Sequence, residues 1–162
     1  MEKNNETADN DAEKFVREKL NASSSANPYA VEIIFPQDAP KEIRGNFLSK
    51  LLLSLTKIRL LIEGATIVGP VTIEGLTLSG TYLFRRCVFS EEFNLEGSTL
   101  QGSLSFDRCS INAINLCGTK VTGRLFFKNL SNSPECPHRP ILFLNSAEIY
   151  RSEERRVGKE CA

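Results

Sequence analysis

Large apolar residues recur every eleven positions through the middle of the chain, and this period constrains the fold more than any other feature. One column of such residues, with one deletion before its last member, contains Ile67, Leu78, Phe89, Leu100, Ile111 and Val121. A second column, with the same deletion, contains Ile62, Ile73, Phe84, Leu95, Phe106, Leu116 and Phe127. A helix would need a period of about 3.6, and no such period runs through this region. The pattern instead indicates a fold made of stacked repeats.

The spacing of these anchors predicts the shape of one repeat. Successive anchors are alternately five and six positions apart, so four short sides would make one coil from two of these periods. Two positions before each member of the first column stands a small residue, with one exception: Ala65, Leu76, Cys87, Ser98, Cys109 and Thr119. Small residues suit a narrow interior, and the recurring glycines suit sharp bends. We therefore predict an all-β solenoid over residues 58–150.

The repeat units carry a family resemblance. Cys87-Val-Phe89, Cys109-Ser-Ile111 and Ala147-Glu-Ile149 look like the centre of the pentapeptide repeat, in which a small residue precedes a central Leu or Phe by two. The string FLSKLL followed by IEGATIVGPVTIEG resembles a bacterial, membrane-associated group of pentapeptide-repeat proteins. The resemblance covers about Phe47 to Ile149 and implies a right-handed quadrilateral β-helix. It implies little about activity, because the repeat residues are structural.

The residues before the solenoid divide into two parts. Residues 1–27 are rich in Asn, Glu, Asp, Lys and Ser, so we expect a disordered segment, with a short helix over Asp11–Leu20 as the alternative. In residues 28–57 we expect a strand over Tyr29–Phe35 and then an amphipathic helix of about four turns that starts near Asp38-Ala-Pro40. Gly45 would be a weak spot in this helix, which we expect to cap the first coil. Its apolar face would contain Ile43, Phe47, Leu48, Leu51 and Leu52.

Two segments near the C-terminus depart from the repeat. Residues 130–140 contain prolines and predict a loop inserted between coils. Residues 151–161, RSEERRVGKEC, share no repeat character and resemble the translation of a sequencing-adapter oligonucleotide. We therefore interpret residues 151–162 as a non-native tail, in which case the native chain would continue past Tyr150. A native charged tail is the alternative.

No group of residues predicts chemistry, and the sequence indicates a protein that is not an enzyme. Cys87 and Cys109 are separated by two periods and should stack in adjacent coils, where they could form a redox pair but more simply fill the core. Cys136 and His138, with the distant Cys117, fall short of the four paired ligands of a zinc site. Because His138 is the one histidine of the chain, a catalytic triad is not expected either. We predict no catalytic, cofactor or metal site.

Charge excludes one class of partner. The chain holds 20 basic and 20 acidic residues, and the span from Arg59 to Lys128 holds seven basic and six acidic ones, a net of +1. This balance favours neither nucleic-acid binding nor an acidic mimic of DNA. Residues of alternating sign recur once per coil and should form a ladder along one corner: Glu63, Arg85, Asp107 and Lys128. The polar N-terminus lacks an apolar signal segment, which predicts a cytoplasmic location. The family resemblance adds membrane association to this expectation.

The outward positions give the one functional lead. Each residue that precedes a second-column anchor on one side of the coil should point outward, and three of the four are apolar: Leu61, Leu83, Ser105 and Phe126. An exposed apolar stripe is typical of a docking surface, although the N-terminal helix or the 130–140 loop could cover it. We expect a scaffold for a protein partner, as the cytoplasmic part of a membrane-associated protein. The alternative is a fragment of an enzyme, since some group members are labelled oxidoreductases, with its catalytic region beyond residue 150.

Overall fold

The computed structural model describes residues 9–26, 29–131, 141–143 and 148–149. These residues form short parallel strands in four sheets and two helices near the N-terminus. Sheet A contains β1 (Ala30–Ile34), β3 (Arg59–Glu63), β7 (Thr81–Arg85), β11 (Ser103–Asp107) and β15 (Arg124–Lys128). Sheet B contains β2 (Glu42–Arg44), β4 (Thr66–Val68), β8 (Val88–Phe89) and β12 (Ser110–Ile111). Sheet C contains β5 (Val71–Thr72), β9 (Phe93–Asn94), β13 (Ala113–Asn115) and β16 (Ile141–Phe143). Sheet D contains β6 (Thr77–Leu78), β10 (Thr99–Leu100), β14 (Lys120–Val121) and β17 (Glu148–Ile149).

From β3 onward the chain visits the four sheets in turn, A to D, and then returns to sheet A. Each strand pairs in parallel with its counterpart one circuit away. In sheet A the register joins Ile62 to Phe84 and Phe84 to Phe106, each a step of two periods. It then joins Phe106 to Phe127, a step shorter by one position. The result is a β-rich, solenoid-like fold with the repeat length that the sequence predicts.

The interior is formed by the two apolar columns of the sequence. All members of both columns are at most 1% exposed, apart from Phe127, which is partly exposed in the last described strand of sheet A. The predicted inward register is therefore confirmed. The centre is aromatic: the Phe106 ring lies 5.4 Å from Phe84, 5.6 Å from Phe89 and 5.3 Å from Phe93, centroid to centroid.

The small residues do more than leave space. The Cys87 thiol donates to the Ile62 carbonyl at 3.4 Å, and the Cys109 thiol donates to the Phe84 carbonyl at 3.3 Å. The hydroxyl of Thr119 donates to the Leu95 carbonyl, and that of Ser98 donates in the same way to the circuit before it. A buried carbonyl without a partner is costly, so a small donor at this position serves both volume and polarity.

Leu76 is the one large residue among the positions that stand two before the first column. Its side chain is 46% exposed, although the equivalent positions in other circuits are buried. A leucine is too large for the narrow interior beside the first column, so it is turned outward and the corner remains open to solvent.

Two kinds of corner explain where glycine is needed. Gly64 has a φ of 78°, and the same corner holds Arg86, Arg108 and Asn129 at φ of 51°, 54° and 52° in later circuits. These three L-residues are in the left-handed region, which favours glycine. At another corner, a Cβ on Gly102 would overlap the carbonyl oxygen of Gly80 in the preceding circuit, so that position admits glycine because the two backbones nearly touch.

Helix α2 (Gly45–Ser54) takes the place of sheets C and D in the first circuit and lies against β5 and β6. The prediction of a four-turn helix from Asp38-Ala-Pro40 is wrong. Ile43 belongs to β2, where it pairs with Ile67 of β4, and the helix begins two positions later. Gly45 is no weak spot, because a Cβ there would overlap the Pro70 carbonyl. The last turn is held by Tyr82, whose hydroxyl lies 2.9 Å from the Leu52 carbonyl.

A second helix, α1 (Asp11–Ala26), lies against β1 and β2. The expected disorder of residues 1–27 is therefore wrong for this stretch, and the alternative helix over Asp11–Leu20 is confirmed and extended. Glu13 accounts for the difference, because its side chain is fully buried at the start of the helix. Its backbone N–H donates a hydrogen bond to the Asn10 side chain, and its carboxylate accepts one from Arg44 Nε at 2.8 Å. Val16 is buried on the same helix.

Two predictions near the C-terminus fall largely outside the described residues. Of the expected 130–140 loop, only the first two residues are described, and Ser131 makes an isolated bridge to Ser110 that prolongs sheet B. Residues 151–162 lie outside the described part altogether.

Candidate partner-binding face

The outer side of sheet A presents three columns of outward side chains. Strand alternation places Leu61, Leu83, Ser105 and Phe126 in register in the central column, as the sequence predicts. The column on one side of it contains Arg59, Thr81, Ser103 and Arg124. The column on the other side contains Glu63, Arg85, Asp107 and Lys128.

The central column is not exposed along its whole length. Leu61 is only 8% exposed, whereas Leu83, Ser105 and Phe126 are partly exposed. Leu61 is surrounded by long side chains, with Glu32 and Leu83 as its register neighbours and charged residues on either side along β3. The accessible part of the stripe therefore starts at Leu83 rather than at Leu61.

A groove of about 220 Å³ lies along this accessible part. Ser105 has a short side chain between the larger Leu83 and Phe126, so the apolar column has a notch at its middle circuit. Phe127 and Lys128 also line the groove. A notch between two apolar side chains, set in a hydrogen-bonded sheet, has the concave and apolar character of a binding site.

One rim of the groove is the charge ladder. The Arg85 guanidinium lies 3.5 Å from the Glu63 carboxylate in the circuit before it and 3.7 Å from the Asp107 carboxylate in the circuit after it. Arg86, at the adjacent corner, lies 3.5 Å from Glu63. The predicted ladder is confirmed for these three members. The second oxygen of Asp107 is buried and has no hydrogen-bond partner among the described residues.

Basic residues stand at the Phe126 end of the face. Arg124 and Lys128 are exposed, lie two positions before and after Phe126 on β15, and make no ion pair with any described residue. The sequence pattern predicts Lys128 only as a member of the ladder and does not predict Arg124 as part of this face. The signal was present, because residues at i−2 and i+2 of a strand share a face with residue i.

Neither expected cover is observed over this part of the face within the described chain. The predicted capping helix, α2, lies against β5 and β6 of sheets C and D. Helix α1 packs on β1 and β2, and its Phe15 ring contacts Phe35 at 5.2 Å between centroids. Of the 130–140 loop, residues 132–140 lie outside the described residues.

The cysteine pair occupies the interior rather than a surface. Cys87 and Cys109 are 1% and 0% exposed and sit in adjacent circuits, each as a free thiol. The hydrogen bond with Cys109, and then burial, raise the pKa of the Cys87 thiol well above its ordinary value, whereas the hydrogen bond with Cys87 lowers the pKa of the Cys109 thiol. Solvent reaches neither sulfur, so both thiols pack the interior of this structure.

The other candidates give no site in the described chain. Cys117 is partly exposed, while Cys136 and His138 lie outside the described residues. The described residues contain no cluster of three or more His, Cys, Asp or Glu side chains suited to a metal ion. Glu74 and Glu96, which stack without an opposite charge, accept hydrogen bonds from Asn94 and Asn115.

Of the helices in the described ranges, neither has the length and apolar character needed to cross a membrane. Comparison with known proteins gave no match: no family model, no curated protein and no solved structure corresponds to this chain.

Proposed function

We propose that the chain is a non-catalytic scaffold that binds a protein partner on the outer face of sheet A. The proposal includes the finer architecture, a right-handed quadrilateral β-helix of the pentapeptide-repeat kind. Four sheets visited in turn, with a register of two periods per circuit, support this architecture. Parallel strands joined by crossovers are right-handed in nearly all known cases, which supports the hand. Placement as the cytoplasmic part of a membrane-associated bacterial protein is proposed on the sequence resemblance alone.

The observation that carries the proposal is the notched groove at Leu83, Ser105 and Phe126. Exposed apolar patches are typical of interaction surfaces, and here two apolar side chains flank a notch within the groove of about 220 Å³. The groove rests on β7, β11 and β15, which are among the longest strands of the described chain, so the backbone beneath it is already ordered before a partner binds. A preformed site avoids the cost of ordering a loop when the partner binds.

A photo-cross-linking amino acid in place of Thr81, beside the notch in sheet A, tests the proposal in cells that express the chain. The same amino acid in place of the exposed Thr77 of sheet D is the matched position. We expect one discrete cross-linked partner from position 81 and none from position 77. Leu83→Glu with Phe126→Glu should abolish the cross-link. Val68→Glu with Leu76→Glu, which changes two exposed apolar residues outside sheet A, should leave it unchanged.

The proposal fails if the Leu83→Glu, Phe126→Glu variant keeps its circular dichroism spectrum and still gives the same cross-linked partner. Ser105→Arg is the second variant, because it fills the notch without changing an inward residue. If Ser105→Arg leaves the capture of the partner through a cross-linker at Thr81 unchanged, the notch is not the binding site.

A further inference from the structure

We infer that the partner presents an extended acidic segment in which two carboxylates flank one apolar residue, in the pattern acid-x-apolar-x-acid. This inference rests on the proposed function and specifies the chemistry of the ligand. It concerns the Phe126 end of the outer face of sheet A, here called the basic end, which consists of Arg124, Phe126 and Lys128.

Charge is the first argument. Arg124 and Lys128 are both exposed and have no ion-pair partner among the described residues, so both are available to a ligand. The one acid that lines the groove, Asp107, is already paired with Arg85 at 3.7 Å. The ligand therefore meets an excess of positive charge at this end, and a carboxylate on either side of its apolar anchor would be complementary to it.

Spacing is the second argument. Arg124 and Lys128 are four positions apart on one strand, which places them about 13 Å from each other with Phe126 midway. Alternate residues of an extended ligand lie on one side, so its positions 1, 3 and 5 cover the same distance of about 13 Å. On a helix, positions 1 and 5 would be only about 6 Å apart. The two cations and the phenyl ring thus match an extended ligand and not a single turn of helix.

The notch supplies the third argument. The apolar residue at position 3 would lie on the Phe126 ring and enter the space above Ser105, between Phe126 and Leu83. Aromatic and branched aliphatic side chains fill such a space and tolerate an extended backbone. An acidic segment without this anchor would have only two exposed ion pairs, which contribute little each.

The test is a titration of the whole chain, labelled with ¹⁵N, with synthetic peptides, followed by nuclear magnetic resonance, which measures weak binding. The probe is Asp-Thr-Phe-Thr-Asp with blocked ends. Three controls are matched to it: the scrambled Asp-Asp-Phe-Thr-Thr, the charge-reversed Lys-Thr-Phe-Thr-Lys and the anchorless Asp-Thr-Ser-Thr-Asp. We expect the probe to shift the backbone signals of Arg124, Phe126 and Lys128. It should bind about two- to fivefold more tightly than the scrambled peptide, which keeps one of the two ion pairs, and about tenfold more tightly than the other two controls.

Variants of the chain sharpen the test. Arg124→Gln with Lys128→Gln should weaken binding of the probe about five- to tenfold, because two exposed ion pairs are lost. Arg59→Gln is the matched control, since Arg59 occupies the same outward column three circuits away, and it should leave binding unchanged. Raising the salt concentration to about 0.5 M should weaken the binding of the probe, because salt screens the ion pairs, and should leave any purely apolar contact unchanged.

The possible results separate the two proposals. Equal binding of the scrambled or charge-reversed peptide would overturn the acidic pattern. Unchanged backbone signals with every peptide, together with a cross-linked partner at position 81, would overturn the acidic pattern and leave the scaffold intact. No peptide binding and no cross-link at position 81 would overturn both.

Discussion

Replacing Phe106 by alanine should destabilise the fold more than any outward change on the same sheet. Phe106 is fully buried, and its ring contacts those of Phe84, Phe89 and Phe93 within 5.6 Å and that of Phe127 at 5.9 Å. Its substitution removes the central member of a cluster of five rings.

The magnitude follows from how little the site can collapse. Phenylalanine-to-alanine changes in protein cores cost about 3–5 kcal/mol, and the cost is highest where the neighbours cannot move inward. Here the backbone on both sides of β11 is fixed by its parallel pairing to β7 and β15. We therefore expect about 4 kcal/mol, which for a chain of this length lowers the melting temperature by about 8–16 °C.

Thermal unfolding followed by circular dichroism measures this effect, with Phe126→Ala as the matched control. Phe126 lies one strand away and points outward, so the same change in side chain should cost no more than about 1 kcal/mol. If Phe126→Ala lowers the melting temperature as much as Phe106→Ala does, or Phe106→Ala lowers it by less than about 2 °C, the inward register is wrong.

Three further predictions test the corners and the N-terminal cap. Gly102→Ala should cost at least about 3 kcal/mol in urea unfolding, because its Cβ would overlap the Gly80 carbonyl; full stability would show that the circuits are farther apart. Arg108→Gly should raise the free energy of unfolding by about 0.5–1 kcal/mol by removing an arginine with left-handed backbone, and Gly64→Ala, at the same corner, should lower it. A destabilising Arg108→Gly or a stabilising Gly64→Ala would contradict the corner geometry. Burial tends to raise the pKa of Glu13, but hydrogen bonds from Arg44 and Asn10 outweigh it and lower that pKa. The stability that Glu13 contributes is therefore full above about pH 4.5 and is lost as the pH falls through the lower pKa of the folded state. Hydrogen exchange of α1 should accelerate in that pH range, and Glu13→Gln should remove the pH dependence.

The interior and its register could be predicted because they repeat. One apolar residue at each eleventh position is enough to fix which side chains face inward, and a parallel ladder then aligns every residue with its counterpart two periods away. The ladder of Glu63, Arg85 and Asp107 follows from the same arithmetic. The deletion before Val121 was also visible, as the one shortened step between Phe106 and Phe127.

What could not be predicted depends on contacts that do not repeat. Helix α1 is held by the Glu13–Arg44 pair, whose members are far apart in the sequence. A polar composition does not reveal this pair, so the sequence offers the helix only as an alternative to disorder. Ile43 fits a helical face as well as a strand, and only its pairing with Ile67 decides between them. The burial of Leu61 depends on its neighbours across the sheet, so a stripe of outward residues did not show which part of it is accessible.

The central claim is that a partner covers the groove of sheet A, and hydroxyl-radical footprinting of the chain with and without its cross-linked partner tests it most directly. The readout is the oxidation of individual side chains, measured by mass spectrometry. The partner should protect Leu83 and Phe126 and leave Leu76 and Val68, which are exposed outside sheet A, oxidised as before. Unchanged oxidation of Leu83 and Phe126, or protection of Leu76 and Val68 instead, would contradict the claim.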